Sequence, residues 1–310
     1  MYIGIDIGGT NIKGVLIDNS PVKKNGSRIL TKVQYPTKSK TSKKIILEQV
    51  FKIIKILLQK NKNVGRTTSH IKGIGIGVAG PVDFENQKVL NPPNVTGLKN
   101  LELGKLIEKK FKIKTIIEND AHLMVLAETL WGAGKDKNIV IGLVFGTGVG
   151  GGIVMNKKIV HGKTGTAGEF GHMTIDKHGR KCACGSKGCL ETYLSETGVR
   201  KTSYEFFNKR VKSYDLHQIA RKGNSKAIKT WEEVGKHLGL GLANIVDIFN
   251  PDVIVVGGGI AVGAGELLLN SAKKEMRKNI LSAKAKKTSV LLAKLDEYAG
   301  AIGAGLLLNQ

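Results

Sequence analysis

The stretch that decides the fold reads HGKTGTAGEFGHMTIDKHGRKCACGSKGCLET and covers residues 161–192. All three cysteines of the chain lie in it, as Cys182, Cys184 and Cys189, and His172 lies ten residues before the first of them. Three thiols and one imidazole are the ligand set of a closed tetrahedral zinc site, and thiolates favour zinc over magnesium. The alternative is three reduced cysteines on a surface loop, but their clustering favours a metal. Because four protein ligands leave no open position for water, the predicted zinc is structural.

Two carboxylates flank these predicted ligands. Glu169 lies three residues before His172, and Glu191 lies two residues after the last cysteine. Gly185 and Gly188 allow the backbone to turn tightly between the cysteines. A metal ion here would therefore fix two carboxylates and one imidazole in a polar pocket built from loop residues.

Length and composition limit the possible classes of protein. The chain has 310 residues, enough for two domains, and a formal net charge of +24. We find no apolar run long enough to span a bilayer and no signal peptide, so we expect a cytoplasmic protein with no membrane partner. Basic excess can indicate nucleic-acid binding, but the lysines are dispersed and aromatic residues are few. We therefore expect no nucleic-acid partner and attribute the charge to solubility, to a hot or salty habitat, or to attraction of anionic substrates.

The order of predicted elements indicates an internal duplication. Residues 3–18 and 139–155 each read as a strand, a glycine turn and a return strand. Residues 43–59 have the apolar spacing of an amphipathic helix, and residues 205–249 read as helical. This order predicts two α/β lobes that hold phosphate groups in a cleft between them. We place the small lobe at residues 1–119 plus 297–310 and the large lobe, with the zinc-binding loop, at residues 120–296.

The first glycine turn offers groups that suit a phosphate. Gly8 and Gly9 can expose backbone N–H groups towards an anion. Around them, Thr10 adds a hydroxyl, Lys13 a cation, and Asp6 a carboxylate that can hold Mg²⁺ through water. The alternative is an ordinary hairpin turn.

The second glycine turn, predicted over residues 146–152, contains Gly146, Thr147 and Gly148 and formally matches G-x-G-x-x-G. We reject a dinucleotide-binding fold because strand residues, rather than a helix, follow the glycines. A second phosphate site fits better. Gly258 and Gly259 follow another strand and can pass close to a nucleotide, or can form a simple strand-to-helix turn.

Asp120 is the candidate catalytic base. It lies where a predicted strand, residues 113–117, gives way to a helix, and a carboxylate there can accept the proton of an attacking hydroxyl. The alternative is a helix N-cap. Further polar groups in turns suit a polyhydroxy ligand; they are Asn94, Asn119, Glu169, His172 and Glu191.

These motifs resemble the ROK family of sugar kinases, within the actin/hexokinase-like (RNase H-like) ATPase fold. The most specific matches are Gly165-x-Ala-Gly-Glu-x-Gly-His172 and Cys182-x-Cys-Gly-x-x-Gly-Cys-x-Glu191. The chain departs from the family at His122, where family kinases usually have Asn. Asn94 is similar to the branch of the family that phosphorylates glucose.

The resemblance implies an ATP- and Mg²⁺-dependent hexose kinase that acts on the 6-hydroxyl of glucose or, alternatively, on N-acetylmannosamine, N-acetylglucosamine, fructose or allose. It implies that the two glycine turns bind ATP phosphates, that Asp120 is the base, and that the five polar residues named above bind the sugar. It also implies structural zinc on His172 and the three cysteines, and a homo-oligomer, either a dimer or a tetramer. A non-catalytic sugar-sensing regulator is the more distant alternative.

Overall fold

The computed structural model describes residues 1–18, 29–63 and 70–308. Its contacts divide the chain into two compact units. The first comprises Met1–Trp131, Lys157–Ala167 and Leu295–Gln310, and the second comprises Gly132–Asn156 and Gly168–Lys294. The lobe boundaries expected from the sequence stay a prediction.

The first unit is built on a five-stranded sheet with the order β3-β2-β1-β4-β7. Its strands are β1 (Tyr2–Ile7), β2 (Asn11–Ile17), β3 (Ile29–Pro36), β4 (Gly73–Val78) and β7 (Thr115–Asn119), and the short pair β5 (Val82–Asp83) and β6 (Lys88–Val89) lies outside this sheet. Its helices are α1 (Lys43–Asn63), α2 (Leu103–Phe111), α3 (Asp120–Trp131) and α10 (Ala299–Leu307). β1 pairs antiparallel with β2 and parallel with β4.

Helix α10 packs directly on the sheet of the first unit. A Cβ on Gly4 in β1 would lie 1.9 Å from the carbonyl oxygen of Ala301, and one on Gly75 in β4 would lie 1.8 Å from that of Ala304. These two glycines therefore allow the backbones of helix and sheet to approach closely.

The second unit contains the strands β8 (Ile139–Phe145), β9 (Val149–Met155), β11 (Val253–Gly257) and β12 (Ser289–Leu292). Its helices are α4 (Glu191–Leu194), α5 (Glu196–Phe207), α6 (Ser213–Arg221), α7 (Ser225–Phe249), α8 (Gly259–Ala264) and α9 (Glu266–Asn279). The short strand β10 (Lys158–Ile159) follows β9 along the chain.

The duplication expected from the sequence is present in the topology of the two sheets. The order β9-β8-β11-β12 repeats the order β2-β1-β4-β7. In both sheets, the first two strands of the unit pair antiparallel, and the next two pairings, β1 with β4 and β4 with β7 or β8 with β11 and β11 with β12, are parallel. β9 is a strand, so the rejection of a dinucleotide-binding turn is confirmed.

Two local predictions were wrong. The glycine turn expected over residues 146–152 is confined to residues 146–148, because Phe145 already pairs with Val149 and the later glycines belong to β9. The helix expected over residues 205–249 is three helices, and the first begins at Glu196. Asn208, which ends α5 in a left-handed conformation, and Gly223, with φ of +81°, interrupt it. Among the helices in the described part of the chain, none is long and apolar enough to cross a bilayer.

Candidate active site

Asp6 lies in β1, in a setting unfavourable for a charged carboxylate. Its Oδ1 is shielded from solvent and has no hydrogen-bond partner among the described residues. Burial and then the negative charge of Asp120 raise the pKa of Asp6 from 3.8 to about 7, and Lys13 opposes this rise. Burial and the negative charge of Asp120 thus disfavour the ionised form of Asp6 more than Lys13 favours it.

Asp120 is the first residue of α3, directly after β7. Its neighbour Asn119 caps the helix, because the Asn119 Oδ1 accepts hydrogen bonds from the backbone N–H groups of Ala121 (2.9 Å) and His122 (3.2 Å). The Asp120 Oδ1 also accepts from the N–H of Ala121, at 2.9 Å. Asn119 thus supplies the N-cap that the sequence offered as the alternative role for Asp120.

Asn94 lies beside the first glycine turn. A Cβ on Gly9 would lie 2.9 Å from the Asn94 Cβ, so only glycine fits there. Asn119 donates from its Nδ2 to the carbonyl oxygen of Gly80 (3.0 Å), and a Cβ on Gly80 would touch Pro92. The first unit therefore brings the loop that carries Asn94 close to both the turn and the start of α3.

In the first turn, Gly8 and Lys13 have partners within the unit. The Gly8 N–H donates to the carbonyl of Asn11 (3.0 Å), and Thr10 is exposed. The Lys13 Nζ donates to the Glu297 carbonyl at 2.8 Å and pairs with its carboxylate at 3.0 Å. The phosphate-binding roles predicted for this turn stay predictions.

A cavity of about 370 Å³ lies in the second unit, beside the second glycine turn. It is lined by Gly146, Thr147, Glu196, Ser213, Tyr214, His217, Gly259, Ile260 and Gly263. A Cβ on Gly146 or Gly259 would meet nothing within 4 Å, so both backbones face open space. Burial, and to a lesser extent Arg221, lowers the pKa of His217, which favours a neutral imidazole in the wall.

At Gly148 and Gly258, close contacts within the second unit require glycine. A Cβ on Gly148 would lie 2.5 Å from the Glu191 Oε2, which accepts from the N–H of Val149 at 2.9 Å. Gly258 has φ of +87°, and a Cβ there would lie 2.2 Å from the carbonyl oxygen of Phe145. The structure thus brings Gly146, Thr147 and Gly259 to one cavity, and it places Glu191 against the turn.

The predicted metal ligands converge. One ring nitrogen of His172 and the Sγ atoms of Cys182, Cys184 and Cys189 all lie within 4.8 Å of one another. The Cys182 Sγ lies 3.8 Å from the His172 Nδ1, and the Cys184 Sγ lies 3.7 Å from the Cys189 Sγ. Ligands at the usual zinc–sulfur distance in a tetrahedron are ~3.8 Å apart, so the donor set fits zinc.

The thiols of this cluster differ in their surroundings. Hydrogen bonds from the Ser186 backbone and from Cys182 lower the pKa of Cys184 to about 7, and burial raises the pKa of Cys189 to about 12. Glu169 and His172 are exposed, and they lie at the two ends of one short 3₁₀ turn. Because His172 directs its Nδ1 towards Cys182, its Nε2 is the nitrogen left for another partner.

The cysteine loop is held by conformation and by one arginine. Gly185 and Gly188 have φ of +98° and +68°, as expected for the tight turns, and a Cβ on Gly188 would lie 1.6 Å from the Asp176 carbonyl oxygen. The Arg180 guanidinium donates to the carbonyls of Thr192 (3.1 Å) and Gly198 (3.2 Å). The loop is thereby attached to α4 and α5.

The ROK family model matches residues 2–310. The chain belongs to the ROK family. A glucokinase of Halalkalibacterium halodurans is 31% identical over 324 residues, covering 100% of this chain and 95% of that protein. A xylose repressor of Bacillus spizizenii is 31% identical over 310 residues, covering 99% of this chain and 77% of that protein. A solved ROK family glucokinase from Streptomyces griseus, in complex with glucose and AMPPNP, has a TM-score of 0.79 and 29% identity, and the match covers 99% of this chain and 98% of that one.

The predicted family and fold class are confirmed: the chain has the mixed α/β, actin/hexokinase-like fold of ROK glucokinases. Sequence reasoning nevertheless missed two groups of residues in this ROK protein. One is the wall of the cavity formed by Glu196, Ser213 and His217, and the other is a buried contact of Glu118 with two histidines. No short sequence motif predicts either group, because each group combines residues from separate parts of the chain.

Proposed function

We propose that this chain is an ATP- and Mg²⁺-dependent hexose kinase that phosphorylates the 6-hydroxyl of glucose. The observation that carries the proposal is the pair of neighbouring carboxylates, Asp6 and Asp120, in the first unit. The shielded Asp6 Oδ1 lacks a hydrogen-bond partner among the described residues, and its pKa is raised to about 7. A carboxylate in this condition fits a site that receives a cation.

In this proposal Asp120 accepts the proton of the sugar hydroxyl as the phosphoryl group is transferred. Phosphoryl transfer depends mainly on positioning and on stabilisation of charge, so one correctly placed carboxylate is sufficient as the base. Asn119, through its bonds to the start of α3, fixes the backbone that carries Asp120. Asp6 would hold Mg²⁺ through water, because Mg²⁺ keeps several of its water ligands when it binds to a protein. Mg²⁺ supplies neutralisation of phosphate charge when it is bound.

The nucleotide is assigned to the cavity of the second unit. Gly146 and Gly259 leave open space in which a ligand can approach the backbone, and Ile260 adds an apolar surface. A volume of about 370 Å³ falls in the range of small-molecule sites. The structural similarity to a glucokinase solved with AMPPNP supports ATP as the donor.

The sugar-binding set comprises Asn94, Asn119, Asp120, Glu169, His172 and Glu191. We assign structural zinc to the four donors that converge around His172 Nδ1. When bound, zinc supplies a rigid cross-link between the 3₁₀ turn and the cysteine loop. His172 would then use its Nε2 for the sugar and its Nδ1 for the metal.

The proposal is tested by a coupled assay of ADP release on a panel of sugars. We expect glucose to give the highest kcat/KM, ahead of N-acetylmannosamine, N-acetylglucosamine, fructose and allose. A different preferred sugar would overturn the choice of glucose, and no turnover on any hexose would overturn the kinase.

A second candidate function is a sugar-binding regulator without catalysis. The xylose repressor of Bacillus spizizenii favours it, because its identity to this chain, 31%, equals that of the glucokinase, although the match covers 77% of the repressor and 95% of the glucokinase. Calorimetric titration with glucose and xylose, run beside the ADP assay, separates the two functions. Sugar binding without ADP release would favour the regulator.

A further inference from the structure

A buried carboxylate with two histidine partners lies next to the candidate base. Glu118 is the fourth residue of β7, and its side chain is 3% exposed. Its Oε1 accepts from the Nδ1 of His122 at 3.0 Å and from the N–H of Asn119 at 2.8 Å. Its Oε2 accepts from the Nε2 of His161 at 2.5 Å. We call Glu118, His122 and His161 the Glu118 cluster.

The cluster holds both ends of the segment 161–167. His161 is bound through its side chain, and the carbonyl of Ala167 accepts from the His122 Nε2 at 3.1 Å. The two ends also bond to each other, because the Ala167 N–H donates to the His161 carbonyl at 3.1 Å. The His161 ring stacks on Phe84, with the ring centres 4.1 Å apart and the planes 15° from parallel. The segment is therefore a closed loop attached to β7 and α3.

The carboxyl group of Glu118 is ionised in this cluster. Although burial favours the neutral acid, hydrogen bonds from His122 and His161 lower the pKa of Glu118 to about 2, so it is a carboxylate. Both ring nitrogens of the buried His122 face an oxygen atom, one of the Glu118 carboxylate and one of the Ala167 carbonyl, so the imidazole is held on both sides. A buried ion pair of this kind fixes geometry more than it adds stability.

The short contact between Glu118 and His161 favours hydrogen bonds over a metal ion as the interaction that holds the cluster. The three side chains could in principle hold a metal, since their donor atoms lie within 4.8 Å of one another. Ligand bonds of about 2.1 Å with a ligand separation of 2.5 Å would require an angle of about 73° at the metal. That angle is too small for two separate ligands of a tetrahedral or octahedral ion.

We propose that the Glu118 cluster is a positioning device that sets the hexose site by fixing the segment 161–167 to the start of α3. Glu118 is two residues before Asp120, and Ala167 is two residues before Glu169 along the chain. The cluster thus restrains the backbone next to the proposed base and the backbone next to a proposed sugar ligand. The expected effect on hexose binding rests on the proposed function. The restraint of residues 161–167 does not depend on that function.

The test combines hydrogen–deuterium exchange with kinetics on the full-length protein. Glu118→Gln replaces an acceptor by an amide that faces donors, and His161→Phe keeps the stacking on Phe84 but removes the N–H. We expect both variants to exchange amides of residues 161–167 at least 10-fold faster. We expect the KM for glucose to rise about 10-fold while the KM for ATP stays constant. His161→Gln, which keeps an N–H donor, should restore most of the protection.

Glu128→Gln is the matched control. Glu128 lies in α3 and, like Glu118, is buried, but its Oε1 accepts from the N–H of Leu295 rather than from a group that holds residues 161–167. It should leave exchange in residues 161–167 unchanged. Unchanged exchange in both Glu118→Gln and His161→Phe would overturn the restraint. It would also be overturned if the wild type bound a second equivalent of metal that the His161→Phe variant does not bind, because a metal ion would then hold the cluster. Faster exchange with an unchanged glucose KM would overturn the positioning role. An inactive wild type would refute the proposed kinase, while the exchange data would still decide the restraint.

Discussion

Replacement of Asp6 by Asn should make the ligand-free protein more stable at alkaline pH, although it removes a residue proposed for function. Asp6 has a pKa of about 7 in the folded protein, compared with 3.8 for the ordinary group. Between pH 3.8 and pH 7, Asp6 is therefore mostly protonated in the folded state and mostly ionised in the unfolded state. The contribution of the protonated group is complete below pH 3.8 and is lost as the pH rises through 7.

The loss follows from the size of the shift. A difference of 3.2 between about 7 and 3.8 corresponds to about 4 kcal/mol, as an upper limit. Between pH 5 and pH 8 the free energy of unfolding of the wild type should fall by about 3 kcal/mol relative to Asp6→Asn. Asp120→Asn should reduce this difference, because the Asp120 charge is part of its cause.

The assay is urea unfolding followed by circular dichroism, from pH 5 to pH 8, on the zinc-loaded protein without added Mg²⁺. The quantity to compare is the difference between wild type and Asp6→Asn at each pH, so that titration of other groups cancels. Repeating the series with Mg²⁺ should stabilise only the wild type, since a cation relieves the buried charge. A difference that does not vary with pH would refute the reasoning.

Two further substitutions test the second unit. Gly259→Val fills open space in the cavity, so in steady-state kinetics it should raise the KM for ATP about 10-fold, or ~1.4 kcal/mol, and leave the KM for glucose unchanged. Its control is Val262→Ala, at an exposed site of the same helix, which should change neither KM. Gly188→Ala places a Cβ against the Asp176 carbonyl and should lower both the zinc content, measured by elemental analysis, and the melting temperature. Gly185→Ala is its control, because it meets only open space and should cost about 1–3 kcal/mol of backbone strain while zinc is kept. Equal zinc loss in both variants, or an unchanged ATP KM in Gly259→Val, would contradict these expectations.

The parts of the fold that could be predicted from the sequence are those that short patterns determine. Alternating apolar residues and paired glycines predicted the first two strands of each unit, because an antiparallel hairpin is a local structure. The convergence of His172 with the three cysteines could also be expected, since the cysteines are close in the chain and glycines allow the turns between them; zinc binding there stays a prediction.

The parts that could not be predicted depend on distant pairs or on conformation at single residues. Glu118 and His161 are 43 residues apart, and nothing in their spacing predicts a hydrogen bond. The interruption at Asn208 depends on a left-handed conformation that an Asn can adopt but does not require. The cavity combines residues of the second glycine turn with residues of α6 and α8, so only the assembled unit reveals it.

The most direct test of the proposed function is the turnover of Asp120→Asn beside its affinity for glucose. We expect the wild type to release ADP with glucose, and we expect the variant to bind glucose with a similar Kd while its kcat falls at least ~100-fold, the usual contribution of a general base. A variant that keeps the wild-type kcat would contradict the assignment of Asp120 as the base, and a wild type that binds glucose without releasing ADP would contradict the kinase.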